Sequence, residues 1–103
     1  MRIEAYVGLD PNGREVVRVL REASLMLKRY YSLDIEVDVM EVPVDSVESR
    51  RSGLPIIRIN GETVFEGRVP SIAEVIDAVF SAIERASIIE YGMPTFEVVD
   101  ELV

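Results

Sequence analysis

The sequence predicts an α/β fold, with two long helices packed against a mixed four-stranded sheet. Three observations carry this. Apolar residues recur at helical spacing over residues 11–31 and 71–86. The first two β-prone runs are joined by a helix long enough for a right-handed parallel crossover. The last two are joined by Asn60-Gly61, the pair that best accepts a type I′ turn, so they pair antiparallel. A chain of 103 residues holds one core, not two.

The elements follow in order. Ile3-Glu4-Ala5-Tyr6-Val7 alternates within a first strand expected over 2–8, and Gly8 to Gly13 is a turn cluster. In the helix over 11–31, Val16, Leu20, Ala23, Leu27 and Tyr30 share one face, which Val19, Leu25 and Met26 widen. The run Leu25-Met26-Leu27 reads as core and not as a cofactor box. Asp10 before Pro11 is a helix-start signal, and Asn12, three residues before Glu15, is a competing cap. A second strand is expected over 33–42. It sets Ile35, Val37 and Val39 on one face and Glu36, Asp38 and Met40 on the other, with a bulge or the strand end near Met40.

Asp45 and Glu48 have capping-box spacing for a short helix to Arg51, which Ser52-Gly53 ends. Pro55 opens a third strand over 55–60, and the fourth returns over 63–67. Ser71-Ile72-Ala73-Glu74 is a capping box. The helix it opens buries Ile72, Val75, Ile76, Val79, Phe80 and Ile83 and ends near Ala86.

Composition narrows the chemistry. Nineteen acidic residues against eleven basic ones give a net charge of −8 and a pI near 4.5, which disfavours nucleic acid and anionic membrane surfaces as partners. Without cysteine there is no disulfide, no thiol nucleophile and no dithiol chemistry; without histidine the usual general base and the Ser–His–Asp triad are missing. No catalytic residue, metal or other cofactor is expected. Met1 to Glu4 lacks the apolar region of a signal peptide and no run of about 18 apolar residues exists, so a cytoplasmic protein is expected. The absence of Gln and the scarcity of Asn fit a thermophilic source.

Residues 53–71, Gly53-Leu54-Pro55-Ile56-Ile57-Arg58-Ile59-Asn60-Gly61-Glu62-Thr63-Val64-Phe65-Glu66-Gly67-Arg68-Val69-Pro70-Ser71, resemble the C-terminal half of the thioredoxin/glutaredoxin superfamily. There a proline, usually cis, opens the third strand, a tight hairpin follows, and a glycine precedes the last helix. The resemblance covers residues 2 to about 86. It implies a thioredoxin-like core, β-α-β-(α)-β-β-α, over residues 1–86, a cis Leu54–Pro55 bond, and an apolar extension over 87–103. The superfamily carries Cys-x-x-Cys where the first strand meets the first long helix. Here Asp10-Pro11-Asn12-Gly13 stands at that junction, to within about one residue. Gly67-Arg68-Val69-Pro70 stands where glutaredoxins carry their glutathione motif. Redox activity therefore does not carry over. The N-terminal half, with Tyr6-Val7, Pro11-Asn12, the long helix and the strand Ile35–Val42, is similar to the KaiB family, which in its thioredoxin-like state works without a dithiol as a partner-binding switch. Both resemblances imply a non-redox binding or scaffold protein acting through contacts with a protein partner.

Four places offer sites, each with a plainer structural explanation that is preferred. Asp10, Pro11, Asn12, Gly13 and Arg14 form an anion or peptide site at a helix N-terminus, or an ordinary cap. Leu54 and Pro55 offer backbone groups to an extended peptide, or form a fold-determining turn. Arg50 and Arg51, joined by Arg68, hold an acidic partner, or are simply solvated. Glu36, Asp38 and Glu41 bind a cation or act as acid and base, or protect a strand from edge aggregation. The alternative function is a small enzyme or ligand-binding protein using a cleft between Asp10–Arg14 and Pro55. The tail is too apolar for a solvated terminus: Ile88, Ile89, Tyr91, Phe96 and Val98 need a surface. The segment either folds back or joins two copies, and a homodimer with residues 88–99 at its interface is expected.

Overall fold

Alternation along the first strand sets Ile3, Ala5 and Val7 on one face, and all three are buried. The computed structural model describes residues 1–42 and 53–91, with side chains up to residue 86. The elements are β1 (Arg2–Val7), α1 (Pro11–Tyr31), β2 (Glu36–Glu41), β3 (Ile56–Ile59), β4 (Glu62–Glu66) and α2 (Ile72–Tyr91). They form one mixed sheet in the order β2-β1-β3-β4. β1 and β2 run parallel, with Arg2 opposite Glu36 and Val7 opposite Glu41, while β3 is antiparallel to both β1 and β4. The short helix expected over 45–51 lies outside the described residues, as does everything beyond residue 91.

Both helices cover the same face of the sheet. One core joins Ile3, Ala5 and Val7 of β1, Ile57 and Ile59 of β3, Val16, Val19, Leu20, Ala23 and Leu27 of α1, and Val75, Val79 and Ala82 of α2. Helices were expected on the faces of the sheet; among the described residues only one face is so covered. The Tyr31 ring meets Phe80 edge-on, 4.9 Å between centroids, and closes the flank where α1 touches α2. Among the described residues no helix is long and apolar enough to cross a membrane.

The local signals are realised in detail. Asp10 caps α1, its Oδ1 accepting from the Gly13 amide at 2.7 Å, with Pro11 in the first turn. Asn60 and Gly61 both have positive φ, as a type I′ turn requires. The Leu54–Pro55 bond is cis. Ser71 and Glu74 exchange bonds as a capping box: the Ser71 amide donates to Glu74 Oε1 at 2.9 Å, and the Glu74 amide donates to Ser71 Oγ at 3.1 Å.

Several expectations need correction. α2 continues to Tyr91, beyond the expected end at Ala86, because no glycine or proline interrupts it before Gly92. β2 is shorter than 33–42, because Ser32 takes a left-handed conformation (φ 55°) and the Leu33 amide donates back to the Leu27 carbonyl, so those residues close the helix. Of the two features expected near Met40, the strand end is the one present, at Glu41, and the β1–β2 ladder has no bulge. The irregularity in the sheet lies in the hairpin, where Ile57 faces Phe65 but Arg58 faces Thr63. Tyr30 and Leu25 are each 67% exposed and Met26 39%, so of the Leu25-Met26-Leu27 run only Leu27 is core. Glu36 and Asp38 stay solvated on the outer strand of the described sheet, where Arg2 Nε lies 3.3 Å from Glu36 and 3.2 Å from Asp38.

The capping box makes one contribution to stability pH-dependent in acid. The Arg68 guanidinium and then the Ser71 amide hold the Glu74 carboxyl down at about 2, from its usual 4.5. A carboxyl depressed in the folded state stabilises above its unfolded pKa, and that contribution is lost as pH falls through the folded one. Glu74→Gln is expected to flatten the stability profile between about pH 4.5 and pH 2, followed by urea midpoints. An unchanged slope there would rule out this role.

Candidate functional site

The turn between β1 and α1 is held by a close backbone approach. Gly13 is buried, and a Cβ on it would stand 2.1 Å from the Gly8 carbonyl oxygen. This brings Val7, Gly8 and Leu9 alongside the first turns of α1 and opens a groove between that helix and β2. The groove has a volume of about 590 Å³, with Val7, Val17 and Val39 as apolar surface. It continues past Arg21 and Val39 into a second hollow of about 380 Å³, bordered by Ser24, Leu25, Ile35 and Val37.

Arginines at i, i+4 and i+7 put Arg14, Arg18 and Arg21 on the groove side of α1. Arg18 is consumed locally. It bonds to Glu15 through Nε at 3.1 Å and through Nη2, and lies 3.2 Å from Glu22, so its pKa is raised by the hydrogen bond and charge of Glu15. The same bond lowers the Glu15 carboxyl. Arg14 and Arg21 are exposed and make no salt bridge among the described residues. Glu22 and Glu41 also border the groove.

The groove runs beside an open strand edge. β2 has β1 as its neighbour on one side and no described strand on the other. The amides of Glu36 and Val42 donate inward, to the carbonyls of Met1 at 3.0 Å and Val7 at 2.8 Å. By strand alternation the backbone groups of Val37, Val39 and Glu41 therefore face outward.

The sequence-predicted residues are scattered relative to this groove. Gly13 and Arg14 border it, whereas Asp10, Pro11 and Asn12 form the exposed helix start and do not. Leu54 borders a separate hollow of about 210 Å³ with Tyr6, Val42, Ile56 and Arg58. Pro55 is buried, its carbonyl accepting from the Gly67 amide at 2.9 Å. The two sides of the expected cleft thus border different hollows. Arg50 and Arg51 lie outside the described residues. Arg68, their expected companion, is engaged with Glu74 at 3.0 Å and 2.6 Å and stacks 5.2 Å from the Phe65 ring centroid.

Sequence reasoning singled out Arg14 but not Arg18, Arg21, Tyr6 or Arg58. The helical spacing of the arginines was the available signal. Arg58 stacks over Tyr6 at 5.4 Å, and its buried Nε has no hydrogen-bond partner among the described residues. Among the described residues no three Asp or Glu side chains gather to hold a metal ion. Compared with protein-family models, with curated proteins and with solved structures, the chain matches none. The groove presents apolar surface, two guanidinium groups with no salt bridge among the described residues, the carboxylates of Glu22 and Glu41, and outward backbone donors and acceptors.

Proposed function

We propose that this chain is a cysteine-free, thioredoxin-like binding module that works through protein contacts and performs no dithiol chemistry. Its fold reading is supported by the parallel β1–β2 crossover, the cis Leu54–Pro55 bond ahead of β3, the Asn60-Gly61 hairpin and the capped last helix. Among the described residues the order is β-α-β-β-β-α, and the helix expected between β2 and β3 falls in residues 43–52, outside them.

The observation that carries the functional reading is the start of α1. There the Asp10 carboxylate occupies the Gly13 amide, and the Gly8 carbonyl fills the place of a Gly13 side chain. A thiolate pair needs free amides and room for sulfur at such a junction. The hollow beside Leu54 also favours binding over catalysis: it is small, about 210 Å³, and among the described residues Arg58 is the single charged one bordering it. No turnover of insulin disulfides or glutathione mixed disulfides above buffer is expected, and turnover would overturn the reading. The binding half is tested by gel filtration of the native cell extract with detection of this chain. Elution above twice the 11.6 kDa chain mass supports a protein partner, and elution at or below that mass overturns one.

A further inference from the structure

We propose that the α1–β2 groove is the seat for the C-terminal segment of a second copy of this chain, residues 95–100, which adds as a fifth strand to the edge of β2 that no described strand covers. The homodimer is then a reciprocal exchange, each copy giving one segment and receiving one. This goes beyond the binding-module reading and does not depend on it, since it uses only α1, β2 and the terminal sequence.

The seat is the first half of the case. An unpaired strand edge is a template for another extended segment, and main-chain bonds to it supply affinity that is blind to side chains. Selectivity comes from what lies beside the edge. Here that is apolar surface from Val17, Leu25 and Val39, with Arg14 and Arg21, which have no salt bridge among the described residues, and two carboxylates, Glu22 paired with Arg18 and Glu41 at the end of β2. Leu25 is 67% exposed and Val39 36%, although Val39 belongs to a strand whose neighbours Ile35 and Val37 pack on the core.

The occupant is the second half. In a chain whose arginines and lysine are spread up to Arg85, the residues after it contain none, while Glu90, Glu97, Asp100 and Glu101 are all acidic. Thr95-Phe96-Glu97-Val98-Val99 is β-prone, and in extended conformation Phe96, Val98 and Asp100 share one face. Such a segment lays two apolar side chains on the groove surface and a carboxylate toward the arginines. Six residues span about 20 Å, the length of β2. An isologous exchange forms the seat twice and closes without growing into a fibre.

The test is a charge swap in the full chain, read by light scattering, with circular dichroism confirming that each variant is folded. The unmodified protein is expected at twice the 11.6 kDa chain mass at tens of micromolar. Arg14→Glu with Arg21→Glu reverses the groove; Asp100→Arg with Glu101→Arg reverses the segment. Each reversed protein is expected at the single-chain mass. An equimolar mixture of the two is expected to regain the doubled mass, because in that pairing both seats are complementary again. The proposal is overturned by a monomeric unmodified protein, by a dimer indifferent to both reversals, or by a mixture that stays monomeric. A monomer destabilised by either reversal, and restored when all four substitutions share one chain, would place the segment on its own groove and also overturn the exchange.

Discussion

Replacing Ile57 by alanine is expected to cost about 2–5 kcal/mol of folding stability. Ile57 is fully buried at the middle of the sheet, between Ala5 on β1 and Phe65 on β4. Ala5 cannot grow into the space, and Ile3, Ile59 and Val75 are themselves fully buried, so a cavity stays where the side chain was. For a domain of this size each kcal/mol moves the melting temperature by roughly 4–8 °C, so a fall of at least about 8 °C by circular dichroism is expected. A loss below about 1 kcal/mol would mean that β3 is not the centre of the core.

Gly13→Ala sets two effects against each other. Inside a helix alanine is favoured over glycine by about 1 kcal/mol. Against this, the new Cβ would lie 2.1 Å from the Gly8 carbonyl oxygen and 3.3 Å from Asp10 Oδ1. The nearer obstacle is backbone and cannot rotate away, so the turn and the cap must move together. A net loss of about 1–3 kcal/mol is expected, read as a lower urea midpoint at unchanged slope. A gain would show that the approach of Gly8 to α1 is loose. The shape of the α1–β2 groove depends on that same approach.

What the sequence made legible was local. The Asp10 cap, the Ser71–Glu74 box and the Asn60-Gly61 turn each depend on residues within a few positions of one another, and each is present. The α1 face was legible only in part, since Val16, Leu20, Ala23 and Leu27 are buried but Tyr30 points to solvent. Helical periodicity says which residues share a face but not how far a neighbouring element extends over it. Here α2 reaches Tyr31 instead. The groove was not legible for the same reason. It exists because β2 lies at an edge, and that follows from β1 pairing with β3, Ile3 against Ile59, a contact with no local signal.

That pairing also fixes an order of assembly. β1, synthesised before the other three described strands, is interior to the sheet, with β2 on one side and β3 on the other. During translation β1, α1 and β2 can associate as a parallel unit, but Ile3 and Ala5 wait for Ile59 and Ile57 to emerge before their second ladder can close. Until then the nascent chain exposes one flank of its own central strand, and closure over so many residues is the slow, entropically costly step. Ribosome-bound chains halted before β3 is free of the exit tunnel should therefore be more protease-sensitive than the released chain.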